Sequence, residues 1–98
     1  MITRLVRMEF EPGLAESFPA VFEKSAAHIR AFPGCQRVQL MRDEALPHIF
    51  YTLSAWDSTE HLNAYRHSPL FKATWAEAKA LFGGKPMAFS MVAASEQY

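Results

Sequence analysis

The sequence predicts an α+β domain in which strands and helices follow one another in the order β-α-β-β-α-β. Three observations support this prediction. Four segments alternate apolar and polar residues with a period of two, two longer segments repeat apolar residues every three or four positions, and Pro or Gly separates most of them. At 98 residues the chain has the length of a single domain, so we expect one domain over residues 1–98.

The first half of the chain predicts a strand, a helix and a second strand. Alternation marks residues 2–11 as a strand, with Val6, Met8 and Phe10 on one face. Apolar residues at helical spacing predict a helix over residues 18–31, with Pro33-Gly34 behind it. Alternation resumes in the second strand, residues 35–42.

The third strand, residues 48–56, carries bulky side chains on both faces. Phe50 and Trp56 lie on one face, together with Thr52 and Ser54. In a ferredoxin-like fold the four-stranded antiparallel sheet has its helices on one face only. Exposing Phe50 and Trp56 to water would lose several kcal/mol of apolar burial. We therefore predict a homodimer in which this face meets the sheet of a second subunit.

The second helical segment reads as two pieces. Asp57, with Glu60 three residues later, resembles a capping box and predicts a helix over residues 58–67. Ser68-Pro69 predicts a new helix start, which continues to residue 82. The last strand is predicted over residues 86–93, and residues 95–98 form a tail.

Composition excludes several function classes. Ten Lys and Arg balance ten Asp and Glu without a run of like charge, which argues against nucleic acid as a partner. No apolar run approaches the roughly 20 residues of a membrane span. Cys35 is the only cysteine, so no internal disulfide is possible, and we expect a cytoplasmic protein.

Three stretches carry a family resemblance: "FPGC" before the second strand, "FYTLSAWDSTEHLNAYRHSPLF" from the third strand into the helices, and "KPMAFSM" in the last strand. With these stretches the chain resembles the antibiotic biosynthesis monooxygenase (ABM) domain family of the dimeric α+β-barrel superfamily. The resemblance implies that the sheets of two subunits meet face to face as a dimeric α+β barrel with the helices outside. It implies a pocket between sheet and helices in each subunit. It also implies oxygenation of phenols or quinols without metal or flavin.

Other members of the family degrade haem, isomerise small phosphorylated sugars or have no known reaction. The haem-degrading branch has an Asn on the first strand, a Trp nine residues after the Trp that ends the third strand, and a His ten residues further on. Counted from Trp56, those last two positions hold Tyr65 and Trp75, and residues 2–11 contain no Asn. The sequence therefore argues against haem degradation.

Four aromatic residues are candidates for the helix-side wall of the pocket: Tyr51, Tyr65, Phe71 and Trp75. They could form a slot for a flat phenolic substrate, with the tyrosine hydroxyl groups as hydrogen-bonding partners. The alternative is ordinary core packing beneath a helix, which the helical spacing of Phe71 and Trp75 also fits.

Three polar residues are further candidates. His67 is the first choice for a general base toward a phenolic proton and His28 the second, because imidazole titrates near neutrality. His67 could instead end a helix, and His28 could be a boundary residue without a role. Arg66 could hold an anionic substrate or form a surface ion pair. No clustered ligand set is visible, so we predict no metal and no cofactor.

The sequence thus favours a cofactor-independent monooxygenase acting on a small phenol or quinol. An isomerase or lyase acting on a small polar metabolite and a non-catalytic ligand-binding dimer remain alternatives. A monooxygenase requires an aromatic cavity. An isomerase or lyase would use Arg66 and the histidines rather than the aromatic residues, and a filled core would indicate the non-catalytic dimer.

Overall fold

A computed structural model describes residues 1–95 and shows a four-stranded antiparallel sheet with helices packed on one face. Of the predicted tail, residues 96–98 lie outside the described residues. The strands lie side by side in the order β2-β3-β1-β4, as in a ferredoxin-like fold. The elements are β1 Ile2–Glu9, a 3₁₀ turn Ala15–Ser17, α1 Phe18–Arg30, β2 Cys35–Arg42, β3 Ile49–Trp56, α2 Thr59–Arg66, α3 Pro69–Lys79 and β4 Met87–Met91.

Serines cap the N-termini of α2 and α3. The side chain of Ser58 accepts a hydrogen bond from the backbone N–H of His61 at 3.2 Å, so Ser58 caps α2. The prediction that Asp57 is this cap is wrong, because its carboxylate instead accepts a hydrogen bond from Gln36 at 2.6 Å. Ser68 caps α3 as predicted, directly before Pro69.

The bulky face of β3 packs under the helices. Phe50 pairs with Met8 and Trp56 with Ile2 across the β1–β3 ladder, so they share the face of the sheet on which the core lies. Phe50 is 3% exposed, and Trp56 is 0% exposed. The prediction that Phe50 and Trp56 face a partner sheet is therefore wrong. Their burial is supplied within the chain, because the helices cover this face of the sheet.

The opposite sheet face is apolar at its centre and uncovered in the isolated chain. Leu5 pairs with Leu53 on one side and with Phe89 on the other, so three apolar side chains cross β3, β1 and β4 in a row. Phe89 is 45% exposed, and Met41, Met87 and Met91 are also exposed. We call Leu5, Leu53 and Phe89 the outer apolar row.

Within residues 1–95, no helix combines the length and apolar character that crossing a bilayer requires.

Candidate active site

A cavity of about 300 Å³ lies between the helix-covered sheet face and the three helices. This volume is at the lower end of the about 300–1,000 Å³ typical of small-molecule sites. The sheet contributes Arg4, Val6, Met8, Val38, Thr52, Ser54, Trp56 and Ala88 to its lining. The helices contribute Phe22, Ile29, Leu62, Tyr65, Arg66, Phe71, Thr74, Trp75 and Ala78, and the segment before β4 contributes Pro86.

Aromatic rings form one wall of this cavity. Tyr65 near the end of α2 meets Phe71 edge-on at 5.3 Å between ring centroids, and Phe71 stacks on Trp75 at 5.8 Å with 11° between their planes. Tyr65 also stacks on Trp56 at 4.9 Å. Phe71 and Trp75 are four residues apart in α3, so they lie on one side of that helix. We call Tyr65, Phe71 and Trp75 the aromatic wall.

Tyr51 lies on the other face of the sheet. It alternates with Phe50 and Thr52 along β3, and its hydroxyl group donates a hydrogen bond to the carboxylate of Asp43 at 2.8 Å. This hydrogen bond is the largest cause of the lowered pKa of Asp43. The prediction that Tyr51 lines the pocket is therefore wrong, because strand alternation turns its side chain away from the helices.

Neither candidate histidine lines the cavity. His67 is exposed, and its Nδ1 lies 2.7 Å from the carbonyl oxygen of Asn63, to which it donates in the tautomer with a proton on Nδ1. This is the helix-ending role that the sequence left open. His28 is exposed on α1, next to the buried Ile29. The expectation that either histidine faces the pocket is wrong, because the buried stripe of α1 and the end of α2 leave both rings outside.

Tyr65 is the lining residue that carries a phenol. Its hydroxyl group has no hydrogen-bond partner among the described residues. Burial raises the pKa of Tyr65 to about 12, with a smaller contribution from the nearby Cys35. The phenol therefore stays protonated at neutral pH and can donate to a ligand oxygen, but it cannot act as a base there.

Two arginines complete the polar part of the lining. Arg4 on β1 is half-buried and donates to the hydroxyl group of Ser90 on β4 at 2.8 Å. Burial, and then the charge of Arg66, lowers the pKa of Arg4. Arg66 lies at the end of α2 and is exposed. Among the described residues, neither arginine forms an ion pair.

The remaining polar side chains of the lining carry hydroxyl groups. Ser54 accepts a hydrogen bond from the indole N–H of Trp56 at 2.9 Å, and the hydroxyl groups of Thr74 and Ser25 are 2.8 Å apart. No carboxylate or imidazole of the described residues lines the cavity. The same residues contain no cluster of three or more His, Cys, Asp or Glu that could hold a metal ion.

Sequence reasoning missed Arg4. The signal was its position in β1, because Arg4 shares the strand face of Val6 and Met8, which pack in the core. A charged residue at a core position of a strand is uncommon unless it is paired or functional.

Comparison with known proteins agrees with this architecture. Residues 1–77 match the family model described as antibiotic biosynthesis monooxygenase. A crystal structure of an antibiotic biosynthesis monooxygenase superposes with a TM-score of 0.90 at 16% identity, covering 97% of this chain and 100% of the other. A Mycobacterium tuberculosis protein gives a TM-score of 0.88 at 16% identity, with 99% and 98% coverage.

A candidate antibiotic biosynthesis monooxygenase from Caulobacter crescentus has 25% identity and a TM-score of 0.88, covering 96% of this chain and 90% of the other. A search of curated proteins found no significant match.

Proposed function

The chain belongs to the antibiotic biosynthesis monooxygenase family, and we propose that it oxygenates a small electron-rich phenol or quinol with O₂. The observation that carries this proposal is the cavity itself, whose aromatic wall includes Tyr65, a phenol without a hydrogen-bond partner among the described residues. A filled core would have favoured a purely structural protein.

The aromatic wall suits a flat ring. Stacked and edge-on contacts with Phe71 and Trp75 each contribute about 0.5–1.5 kcal/mol beyond simple burial. Tyr65 donates to the phenolic oxygen of the bound ring, which stabilises that oxygen as it loses its proton. The proton passes to solvent, because the lining holds no imidazole or carboxylate among the described residues to accept it.

The proposed reaction needs no electron source other than the substrate. The ionised substrate donates an electron pair to O₂ from the ring carbon ortho or para to its oxygen. A carbon–oxygen bond forms there, and the peroxide takes up a proton from solvent to give a hydroperoxide at that ring C–H. Loss of water then breaks the O–O bond and leaves a carbonyl group, so the phenol and O₂ become a quinone and H₂O. The substrate carbon is oxidised and O₂ is reduced.

Oxygen consumption tests the proposal. Chelator-treated protein is mixed with a panel of quinols and anthrones, and O₂ uptake is compared with the rate without protein. We expect uptake above that rate with at least one substrate, unaffected by chelator. No uptake across the panel would overturn the oxygenase proposal and favour an isomerase or a ligand-binding protein.

Replacing His67 by alanine tests whether the reaction uses an imidazole base. Because His67 ends α2 outside the cavity, we expect the variant to keep the wild-type rate of O₂ uptake. Loss of the helix-ending contact should lower the free energy of unfolding by about 0.5–1 kcal/mol, which a urea titration would measure. A rate that falls at least about tenfold with the fold intact would restore His67 as the base.

We also propose that the protein is a homodimer, formed through the outer apolar row rather than the face that carries Phe50 and Trp56. Leu5, Leu53 and Phe89 are contiguous on an uncovered sheet face, where an apolar patch indicates a contact surface. The family resemblance implies the same two-sheet barrel, and a two-fold axis would place identical rows against each other.

Replacing Leu53 by arginine should dissociate that dimer. Two guanidinium groups would be buried against apolar side chains near the two-fold axis, without partners. Sedimentation velocity should show a dimer for wild type and a monomer for the variant. Leu46→Arg is the matched control, because Leu46 is 45% exposed in the loop between β2 and β3. Unchanged mass for Leu53→Arg would contradict the interface.

A further inference from the structure

We propose that Arg4 and Arg66 form an anion subsite in the cavity and that the ligand is an aromatic acid whose carboxylate binds there. The inference deepens the proposed function, since it names a substrate class for the same cavity. Turnover of such an acid rests on the proposed function, whereas its binding does not, because binding requires no oxygenation.

The two guanidinium groups come from opposite sides of the cavity. Arg4 projects from β1 on the helix-covered face, and Arg66 belongs to the last turn of α2. They are close enough for the charge of Arg66 to disfavour the charged form of Arg4. Two like charges in one lining repel each other, and an anion placed between them would relieve that repulsion.

No carboxylate of residues 1–95 forms an ion pair with Arg4 or Arg66. The ion pairs of the described residues are Arg7–Glu9, Lys24–Glu77 and Arg42–Glu16, and none of them reaches the cavity. Elsewhere on the same chain, arginines find partners. Arg42, for example, bonds both Glu16 and the carbonyl oxygen of Pro47. Among the described residues, the one hydrogen-bond partner of Arg4 is the neutral hydroxyl group of Ser90, which fixes the side chain in place without balancing its charge.

The remaining lining defines the rest of the ligand. Guanidinium groups present planar pairs of N–H donors that match a carboxylate, and partial burial strengthens such charge-assisted bonds. Next to them lies the aromatic wall, which offers ring faces and one neutral hydroxyl donor. A small fused ring that carries a carboxylate beside a phenolic oxygen satisfies both parts, whereas a neutral ring leaves both arginines unpaired.

Matched ligands test the inference. Calorimetry would compare 1-hydroxy-2-naphthoate with its methyl ester, which keeps the ring and phenol but lacks the charge. We expect wild type to bind the acid at least about tenfold more tightly than the ester. Arg4→Gln and Arg66→Gln should each lose about tenfold in affinity for the acid and leave the affinity for the ester unchanged. Lysine at either position should restore part of the loss.

Arg30→Gln is the charge-matched control, because Arg30 is exposed on α1 and does not line the cavity. Circular dichroism and melting curves would show that each variant is folded. Because Arg4 is half-buried, Arg4→Lys and Arg66→Gln keep the test decisive if Arg4→Gln does not fold. Equal binding of acid and ester, or wild-type affinity for the acid in a folded Arg66→Gln variant, would overturn the inference.

Four further outcomes separate the inference from its alternatives and from the proposed function. Tighter binding of 1-naphthyl phosphate than of the acid would overturn the assignment of a carboxylate. Failure of both naphthoate ligands to bind would overturn the class of aromatic acids. Binding of the acid without O₂ uptake on any substrate would leave the subsite standing and remove the oxygenase proposal. O₂ uptake on neutral quinols with no preference for acids would leave the oxygenase proposal standing and overturn the anion subsite.

Discussion

We expect replacement of Trp56 by alanine to lower the free energy of unfolding by about 3–5 kcal/mol. The indole ring is fully buried, stacks on Tyr65 at 4.9 Å and meets Phe32 edge-on at 6.4 Å. Its N–H donates to Ser54 at 2.9 Å. Truncation would remove all of these contacts and leave a void that joins the binding cavity. For a domain of this size, such a loss is a large share of the total of about 5–15 kcal/mol.

A urea titration at one fixed protein concentration measures the effect, because the proposed dimer would make apparent stability depend on concentration. Trp56→Phe is the graded control, since it keeps a ring in the core and loses the N–H bond to Ser54, at a cost of about 1 kcal/mol. The location predicted from the sequence, between two subunits, and the location in the structure, under the helices, lead to different expected results for Trp56→Ala. A residue between subunits would give a folded monomer when truncated, whereas the core residue seen here gives a less stable chain. A stable monomeric Trp56→Ala variant would contradict the structure.

The element order was predictable from the sequence because each periodic segment is bounded by residues that end or start a helix or strand. Ser68-Pro69 both caps and begins α3, and Gly34, with φ of 85°, supplies the turn between α1 and β2. A side chain at Gly34 would also collide with the ring of His61, since a Cβ there would lie 2.3 Å from it. Local signals of this kind act over three or four residues, so one sequence is enough to detect them.

The face of β3 that packs under the helices was not predictable from alternation alone. The pattern of residues 49–56 separates Phe50 and Trp56 from Tyr51 and Leu53, but it does not say which set meets the helices. That choice depends on pairing with β1, where Met8 and Phe50 are partners and share one buried cluster. Choosing the wrong face of β3 placed Tyr51 in the predicted pocket and Trp56 outside it. One choice of face determines the direction of every side chain along the strand.

The site was predictable where it lies on helices and less so where it lies on the sheet. Tyr65, Arg66, Phe71 and Trp75 were candidates from the sequence, and all four line the cavity. Arg4 was overlooked because a lone arginine in a strand looks like an exposed residue until its strand partners are known. His67 was overvalued because its neighbours line the cavity, although the last turn of a helix points successive residues in different directions.

Replacement of Tyr65 by phenylalanine is expected to lower the rate of O₂ uptake about 100-fold. Under the proposed function its hydroxyl group is the neutral donor of the aromatic wall, and it stabilises the oxygen that becomes negative as the substrate ionises. Phenylalanine keeps the ring stacked on Trp56 and removes only this donor. The variant should therefore retain its fold while losing turnover. Oxygen consumption measured over a range of substrate concentrations gives kcat and KM separately and would show whether the loss lies in kcat.

Tyr51→Phe is the matched control for this prediction. It also removes one tyrosine hydroxyl group, but that group is bonded to Asp43 on the far face of the sheet, so uptake should stay at the wild-type rate. The pH profile adds an independent check. With its pKa at about 12, Tyr65 stays protonated across the working range, so the wild-type rate should show no titration of Tyr65 near the usual tyrosine pKa of about 10. Equal rates for Tyr65→Phe and Tyr51→Phe would contradict the donor role. The reacting oxygen would then have to be stabilised elsewhere in the lining, by the hydroxyl group of Thr52 or by the arginines.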